Sequence, residues 1–192
     1  MKTNEHDFYS EIANWSFEDI DYTSEVITNW IYEDEIKKRV KENTKILDLG
    51  TAAGEKVLKN FPNCAEILGT DFSDEMIETA NKNLLQSGRK NISFRVMDNL
   101  KMDTSENYFD LVTARHTIID PLQIYKTLKK GGQLVIRGVD KLDCWSLKRM
   151  FKRGQAYHDV KPISLIDYEA IMDAGFKEVE LIPLHVIEYY LS

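Results

Sequence analysis

The sequence predicts an α/β fold built on a mostly parallel sheet of six or seven strands with helices on both faces, and three observations carry that expectation. Short apolar runs ending in small or acidic residues alternate with segments of helical period, the pattern of parallel strands joined by crossover helices. The run Ile46-Leu47-Asp48-Leu49 passes directly into Gly50-Thr51-Ala52-Ala53-Gly54-Glu55, a strand entering a loop of small residues that opens a helix. About twenty residues on, a second apolar run, Glu66-Ile67-Leu68-Gly69-Thr70, ends in Asp71, where open α/β sheets place a ribose-binding carboxylate.

A chain of 192 residues suits one domain with a two-sided core, here 1–192. The 25 Lys and Arg against 32 Asp and Glu leave a net charge of -7, which disfavours a broad basic surface for nucleic acid. Cys64 and Cys144 lack the spacing of a metal site or a disulfide framework, and no metal is expected. They point to a reducing, cytoplasmic setting. The N-terminus is polar, and no apolar run is long enough to span a bilayer, so neither secretion nor a membrane is expected.

Residues 1–43 read as a helical cap or lid ahead of a core over 44–192. The aromatics Phe8, Tyr9, Trp15, Phe17, Tyr22, Trp30 and Tyr32 either cover that core or close over a ligand. A helix is expected from Glu25 to about Lys41, with Val26, Ile27, Trp30 and Ile31 on its apolar face. Glu33, Asp34 and Glu35 each precede Lys37, Lys38 and Arg39 by four residues, as on a solvated face. After the glycine loop, Val57, Leu58 and Phe61 mark a short helix stopped by Pro62. Ser73 caps the next helix, whose face carries Met76, Ile77, Ala80 and Leu84 and which Ser87-Gly88 ends.

A strand over Ile92-Ser93-Phe94-Arg95-Val96 leads to Asp98 and Asn99, and Phe109 to Ala114 forms the next, continuing into Arg115 and His116. Asp120-Pro121 opens a helix bearing Leu122, Tyr125 and Leu128 that Gly131-Gly132 closes, before a strand from Gln133 to about Val139. Leu142 to Tyr157 reads as a helix carrying the basic cluster Lys148, Arg149, Lys152 and Arg153, either a solvated face or a phosphate contact. Ser164 with Asp167 makes a capping-box-like start for a last helix, ended by Gly175. Phe176 to Tyr190 is β-prone and broken by Pro183.

The loop spacing argues against a dinucleotide. The fingerprint G-x-G-x-x-G needs glycine at positions 50, 52 and 55, and 52 and 55 are Ala and Glu. The string Asp48 to Gly54 resembles the first motif of class I S-adenosylmethionine-dependent methyltransferases, acid-x-Gly-x-Gly-x-Gly, with Ala52 for the central glycine. Asp71-Phe72-Ser73-Asp74-Glu75-Met76 resembles the second motif, and Ile92 to Asn99 the strand whose acid takes the adenine amino group. Phe109-Asp110-Leu111-Val112 and the run Leu128 to Ile136 extend the likeness to roughly residues 45–140.

The resemblance implies a Rossmann-like three-layer sandwich and S-adenosyl-L-methionine as cofactor. It places the cofactor on Asp48, Gly50, Thr51, Ala52 and Gly54, with Asp71 on the ribose hydroxyls and Phe72 on the adenine face. Asp98 and Asn99 would meet the adenine amino group, and Met76 either touches the adenine edge or packs in the core. Arg115 would meet the methionine part or an anionic acceptor. His116, at the carboxyl edge of the sheet, is the candidate general base, with a structural histidine as the alternative.

The Asn/Asp-Pro-Pro-aromatic signature of many enzymes that methylate nucleic-acid amines is missing after the fourth strand, so a small-molecule acceptor is expected. An RNA methyltransferase and a non-catalytic cofactor-binding protein are the alternatives. Class I enzymes also end in a sixth and an antiparallel seventh strand, for which this chain has little length. Either a cramped hairpin supplies them, or an open edge is covered, as in a homodimer.

Overall fold

The computed structural model describes residues 22–190. In chain order they form β1 (Tyr22–Val26), α1 (Tyr32–Arg39), β2 (Lys45–Leu49), α2 (Glu55–Asn60), β3 (Glu66–Asp71), α3 (Asp74–Ser87) and β4 (Ile92–Val96). There follow β5 (Phe109–Arg115), α4 (Pro121–Thr127), β6 (Leu128–Arg137), α5 (Trp145–Phe151), α6 (Ile163–Asp173) and β7 (Val186–Tyr190). Five strands pair in parallel in the order β4-β3-β2-β5-β6. Strand order reverses at β2, whose neighbours are β3 and β5, and ligands bind such sheets in the crevice beyond the carboxyl ends at that point.

Alternation along β2 builds the two cores. Ile46 turns to one face, where Tyr32 and Ile36 of α1, Val57 of α2 and Ile77 and Ala80 of α3 meet it. Leu47 and Leu49 turn to the other, against Phe109, Val112 and Ile124 of α4, with Phe176 packed at the margin. Helices thus cover both faces, giving the expected three-layer α/β sandwich.

The sheet has five strands where six or seven were expected. Of Phe176 to Tyr190 only Val186–Tyr190 is a strand, and it pairs antiparallel with β1 in a separate two-stranded ribbon. Pro183 has no N–H to give a ladder, and its carbonyl accepts a hydrogen bond from the Thr28 hydroxyl. The ribbon also corrects the first helix. Glu25 and Val26 belong to β1, and the helix begins only at Tyr32. Val26, Ile27 and Ile31 are exposed, and the face packed on the sheet is Tyr32 and Ile36. Of its charged residues, only Glu35 and Arg39 pair at the four-residue spacing, while Asp34–Lys37 and Glu35–Lys38 pair at three.

Gly131-Gly132 does not close a helix. The helix stops at Thr127, and β6 runs from Leu128 through both glycines. Phe109 pairs with Leu128 and Leu111 with Gln133, so the extra residues of β6 bulge out, with Gly131 at φ +81° making the turn. The basic helix is cut to Trp145–Phe151, and Lys148 is buried with Nζ donating to the carbonyls of Asp140 and Lys141. The capping box at Ser164 is absent: α6 starts at Ile163, and the Ser164 hydroxyl donates to Asp140 Oδ2 at 2.6 Å. Phe8, Tyr9, Trp15 and Phe17 lie outside the described residues.

Candidate active site

The glycine loop owes its shape to three left-handed residues, Gly50 at φ +70°, Ala52 at +48° and Gly54 at +74°. These are the three positions at which the motif calls for glycine, because only glycine takes that conformation without cost. Ala52 keeps it at a strain of about 1–2 kcal/mol. Gly50 and Gly54 also lack room for a methyl: a Cβ would stand 2.6 Å from Thr117 Cβ at Gly50 and 2.6 Å from Phe94 Cζ at Gly54. The Gly50 contact brings the segment after β5 against the loop after β2.

Asp48 lies beneath this loop, 6% exposed, and accepts a 2.7 Å hydrogen bond from the Thr113 hydroxyl. Thr113 is its register partner on β5. Burial pushes the carboxyl up to about 6, against the pull of the Thr113 and Thr51 hydroxyls and the Arg115 charge, with Asp71 adding a smaller push. Asp71 ends β3 and binds the loop directly. Its Oδ2 accepts from the Ala52 amide at 2.9 Å and its Oδ1 from the Ser73 amide at 3.1 Å. Burial raises its pKa while the amides of Ser73, Ala52 and Phe72 oppose the rise. Ser73 caps α3 by accepting from the Met76 amide, and Phe72 stands 41% exposed beside the acid.

Asn99 joins the other two loops, its Nδ2 donating to Thr117 Oγ1 at 3.0 Å and to the Ile118 carbonyl at 3.2 Å. The structure therefore gathers Asp48, Gly50, Thr51, Ala52, Gly54, Asp71, Asn99, Arg115 and His116 along the carboxyl edge around β2. Asp98 is exposed, its Oδ1 taking the Leu100 amide in a tight turn. The Met76 side chain is 2% exposed and packs inward.

His116 sits just past β5 at φ +51°, its amide donating to the Arg137 carbonyl at 2.8 Å. Crowding by the protein, then the Arg115 and Arg137 guanidiniums, push its pKa down to about 4. Because the ring still meets solvent, the two cations are the firmer cause.

Sequence reasoning missed Thr113, Thr117 and Arg137 as site residues, and read Tyr32 only as one aromatic of a cap. The Tyr32 side chain, 3% exposed, lies near Asp48, Thr113 and Arg115, and burial first, then Asp48, hold its phenol above the usual range. Among the described residues its hydroxyl reaches neither Thr113 nor any other partner in hydrogen-bonding geometry. Among the same residues Asn99 Oδ1 and Arg115 Nε are also without a partner, and Thr51 Oγ1, though near enough to Asp48 to act on its carboxyl, makes no hydrogen bond of good geometry; all three are buried. An unpaired buried polar atom costs about 1–3 kcal/mol, and four around one crevice fit a polar ligand that satisfies them. Among the described residues no cluster of His, Cys, Asp and Glu could hold a metal ion, and no helix is long and apolar enough to cross a membrane.

Comparison with known proteins agrees with this geometry. The profile of the family described as "Methyltransferase domain" matches residues 40–175. Phosphoethanolamine N-methyltransferase 3 of Arabidopsis thaliana is 31% identical over 159 residues, which are 73% of this chain and 30% of that protein. The ubiquinone/menaquinone biosynthesis C-methyltransferase UbiE of Geotalea daltonii is 30% identical over 114 residues, 52% of this chain and 48% of that one. The chain thus matches less than half the length of either relative. In fold it is similar to the crystal structure of a SAM dependent methyltransferase from Aquifex aeolicus, with a TM-score of 0.60 at 19% identity over 83% of this chain and 87% of the other. The chain belongs to the methyltransferase domain family, with the class I Rossmann-like fold of S-adenosylmethionine-dependent methyltransferases.

Proposed function

We propose that this domain transfers a methyl group from S-adenosylmethionine to a small-molecule acceptor. The observation that carries the reading is the set of buried, unpartnered polar atoms around a glycine loop at the strand-order reversal. When bound, the cofactor supplies an electrophilic methyl group. The chain's own residues hold and align. Asp71, fixed by loop amides, keeps lone pairs for the ribose hydroxyls, and Phe72 offers an exposed ring to the adenine. Asp98 and Asn99 lie at the adenine end, where the Asn99 oxygen has no other partner. Asp48, with Thr51, sets a negative charge under the cationic methionine end. Alignment of this kind is most of what an in-line displacement asks of a protein.

Three observations support a small acceptor over RNA. The chain is acidic, its two named relatives carry the names of small-molecule methyltransferases, and Lys148 of the basic cluster is buried on carbonyl groups. A cytoplasmic setting belongs to the same reading, with Cys64 and Cys144 both free thiols. Labelled methyl donor tested against fractionated metabolites and RNA decides it. Label in RNA alone overturns the small-molecule reading, and cofactor binding without turnover on any acceptor leaves a non-catalytic binding protein.

His116 is the proposed base. With a pKa near 4 its imidazole is unprotonated through the neutral range and can accept a proton from the acceptor, though with less driving force than a histidine that titrates near neutrality. His116→Ala should keep affinity for S-adenosylhomocysteine and lower turnover about a hundredfold. Before acceptor binds, the wild-type profile should show no histidine limb in the neutral range. A variant with a lower melting temperature and normal activity per folded molecule would make the histidine structural.

A further inference from the structure

Arg115 ends β5 and Arg137 ends β6, and the two are register partners, so their side chains leave the same face of adjacent strands. Both are half-buried, yet among the described residues neither makes an ion pair or a side-chain hydrogen bond. Glu33 and Glu188 act on Arg137, and Asp48 on Arg115, only from beyond ion-pair distance. Two half-buried guanidiniums side by side repel each other and lose hydration, and the carboxylates nearby offset this only at a distance. Arg115 Nε is wholly buried with no acceptor, and the unpartnered Tyr32 hydroxyl lies near it. The two guanidiniums can only donate hydrogen bonds, and the Tyr32 hydroxyl can donate as well. Their complement is a group with two or more oxygens and negative charge, which planar guanidiniums grip in bidentate fashion.

Topology says which ligand brings that group. The loops after β2, β3 and β4 form the cofactor side of the crevice. β6 lies beyond β5 on the other side, two strand spacings or roughly 10 Å from β2. We propose that Arg115, Arg137 and Tyr32 form an anion subsite for the acceptor, which carries a phosphate or a carboxylate. This rests on the methyltransferase reading above. The cofactor's own methionine carboxylate is the other source of such an anion, and the test separates the two.

The full chain, loaded with S-adenosylhomocysteine, is titrated with inorganic phosphate against chloride at constant ionic strength while the melting temperature is read. Phosphate should raise the wild-type melting temperature. Arg137→Gln should abolish the rise and Arg137→Lys should keep part of it, with S-adenosylhomocysteine affinity changed less than about twofold, under half a kcal/mol. A wild type indifferent to phosphate, or an Arg137→Gln protein that responds like it, overturns the subsite. So does a tenfold or greater loss of S-adenosylhomocysteine affinity in Arg137→Gln with methylthioadenosine, which lacks the carboxylate, bound normally; roughly 1.4 kcal/mol would then belong to the cofactor's carboxylate. If the wild type binds no S-adenosylhomocysteine, the methyltransferase reading fails by itself, and the phosphate arm run on the unloaded chain still judges the anion site.

Discussion

Asp71→Ala should yield a domain that folds with a loosened glycine loop and binds S-adenosylhomocysteine at least tenfold more weakly than wild type. Asp71 has two tasks, and one substitution removes both. Its carboxylate holds the Ala52 and Ser73 amides, and a stranded buried donor costs about 1–3 kcal/mol. Part of that cost appears as lowered stability, since Ala52 already occupies a left-handed conformation unfavourable for alanine. The rest appears in binding, where a hydrogen bond to a charged group is worth about 1.5–3 kcal/mol, or roughly ten- to 150-fold. Denaturant melts and calorimetry on the same preparation separate the two. Lower stability with unchanged affinity would confine Asp71 to shaping the loop and remove it from the ribose.

Asp48→Asn should make the ligand-free domain more stable at neutral pH while disabling it. A carboxyl raised from 3.8 to about 6 binds its proton more tightly folded than unfolded. Its ionisation therefore costs nothing below about pH 4, begins to tell as pH rises, and is felt in full above about pH 6. The cost is on the order of 2–3 kcal/mol at 1.36 kcal/mol per unit. Asparagine keeps an oxygen for the Thr113 hydroxyl and never ionises, so the variant should gain about 1–3 kcal/mol at pH 7.5 and lose that gain near pH 4. The same change removes the negative charge proposed to face the cationic cofactor, and binding of S-adenosylmethionine should fall more than tenfold. A stability difference that is flat with pH would show that Asp48 is not the titrating group.

What could be read from the chain beforehand follows locality. Residues 46 to 60 carry their strand, loop and helix in adjacent letters, and each left-handed position of the loop coincides with a motif position. Tyr32 and Thr113 could not be assigned that way, because the contact with Asp48 depends on β5 pairing with β2 and α1 lying across the edge. Thr113 left one trace, the single hydroxyl in its strand. Arg137 has no local signature, since its meaning comes from register with Arg115. Val26, Ile27, Trp30 and Ile31 fall at helical spacing by coincidence. Their β-branched members suit a strand equally well, and the partner that decides the matter lies at the far end of the described chain. Gly131-Gly132 failed for a related reason: a glycine pair marks a turn without saying whether a helix ends or a strand bulges.

The ribbon of β1 and β7 bears on how the domain assembles in time. Tyr189 and Glu25, joined by a side-chain hydrogen bond, are 164 positions apart. Closing so long a loop is entropically costly and is repaid by a two-stranded piece whose Val26, Ile187 and Tyr189 stay exposed. Such a contact forms after the folding barrier, once the parallel sheet has brought the two segments together. Disrupting it, as in Val186→Pro, should leave the folding rate nearly unchanged and speed unfolding, the mark of an element absent from the transition state. Stopped-flow arms that shift equally would put the ribbon in the nucleus instead. Since α1 follows β1 directly, Tyr32 would settle over Asp48 only in that late stage, and the crevice would be the last part of the domain to mature.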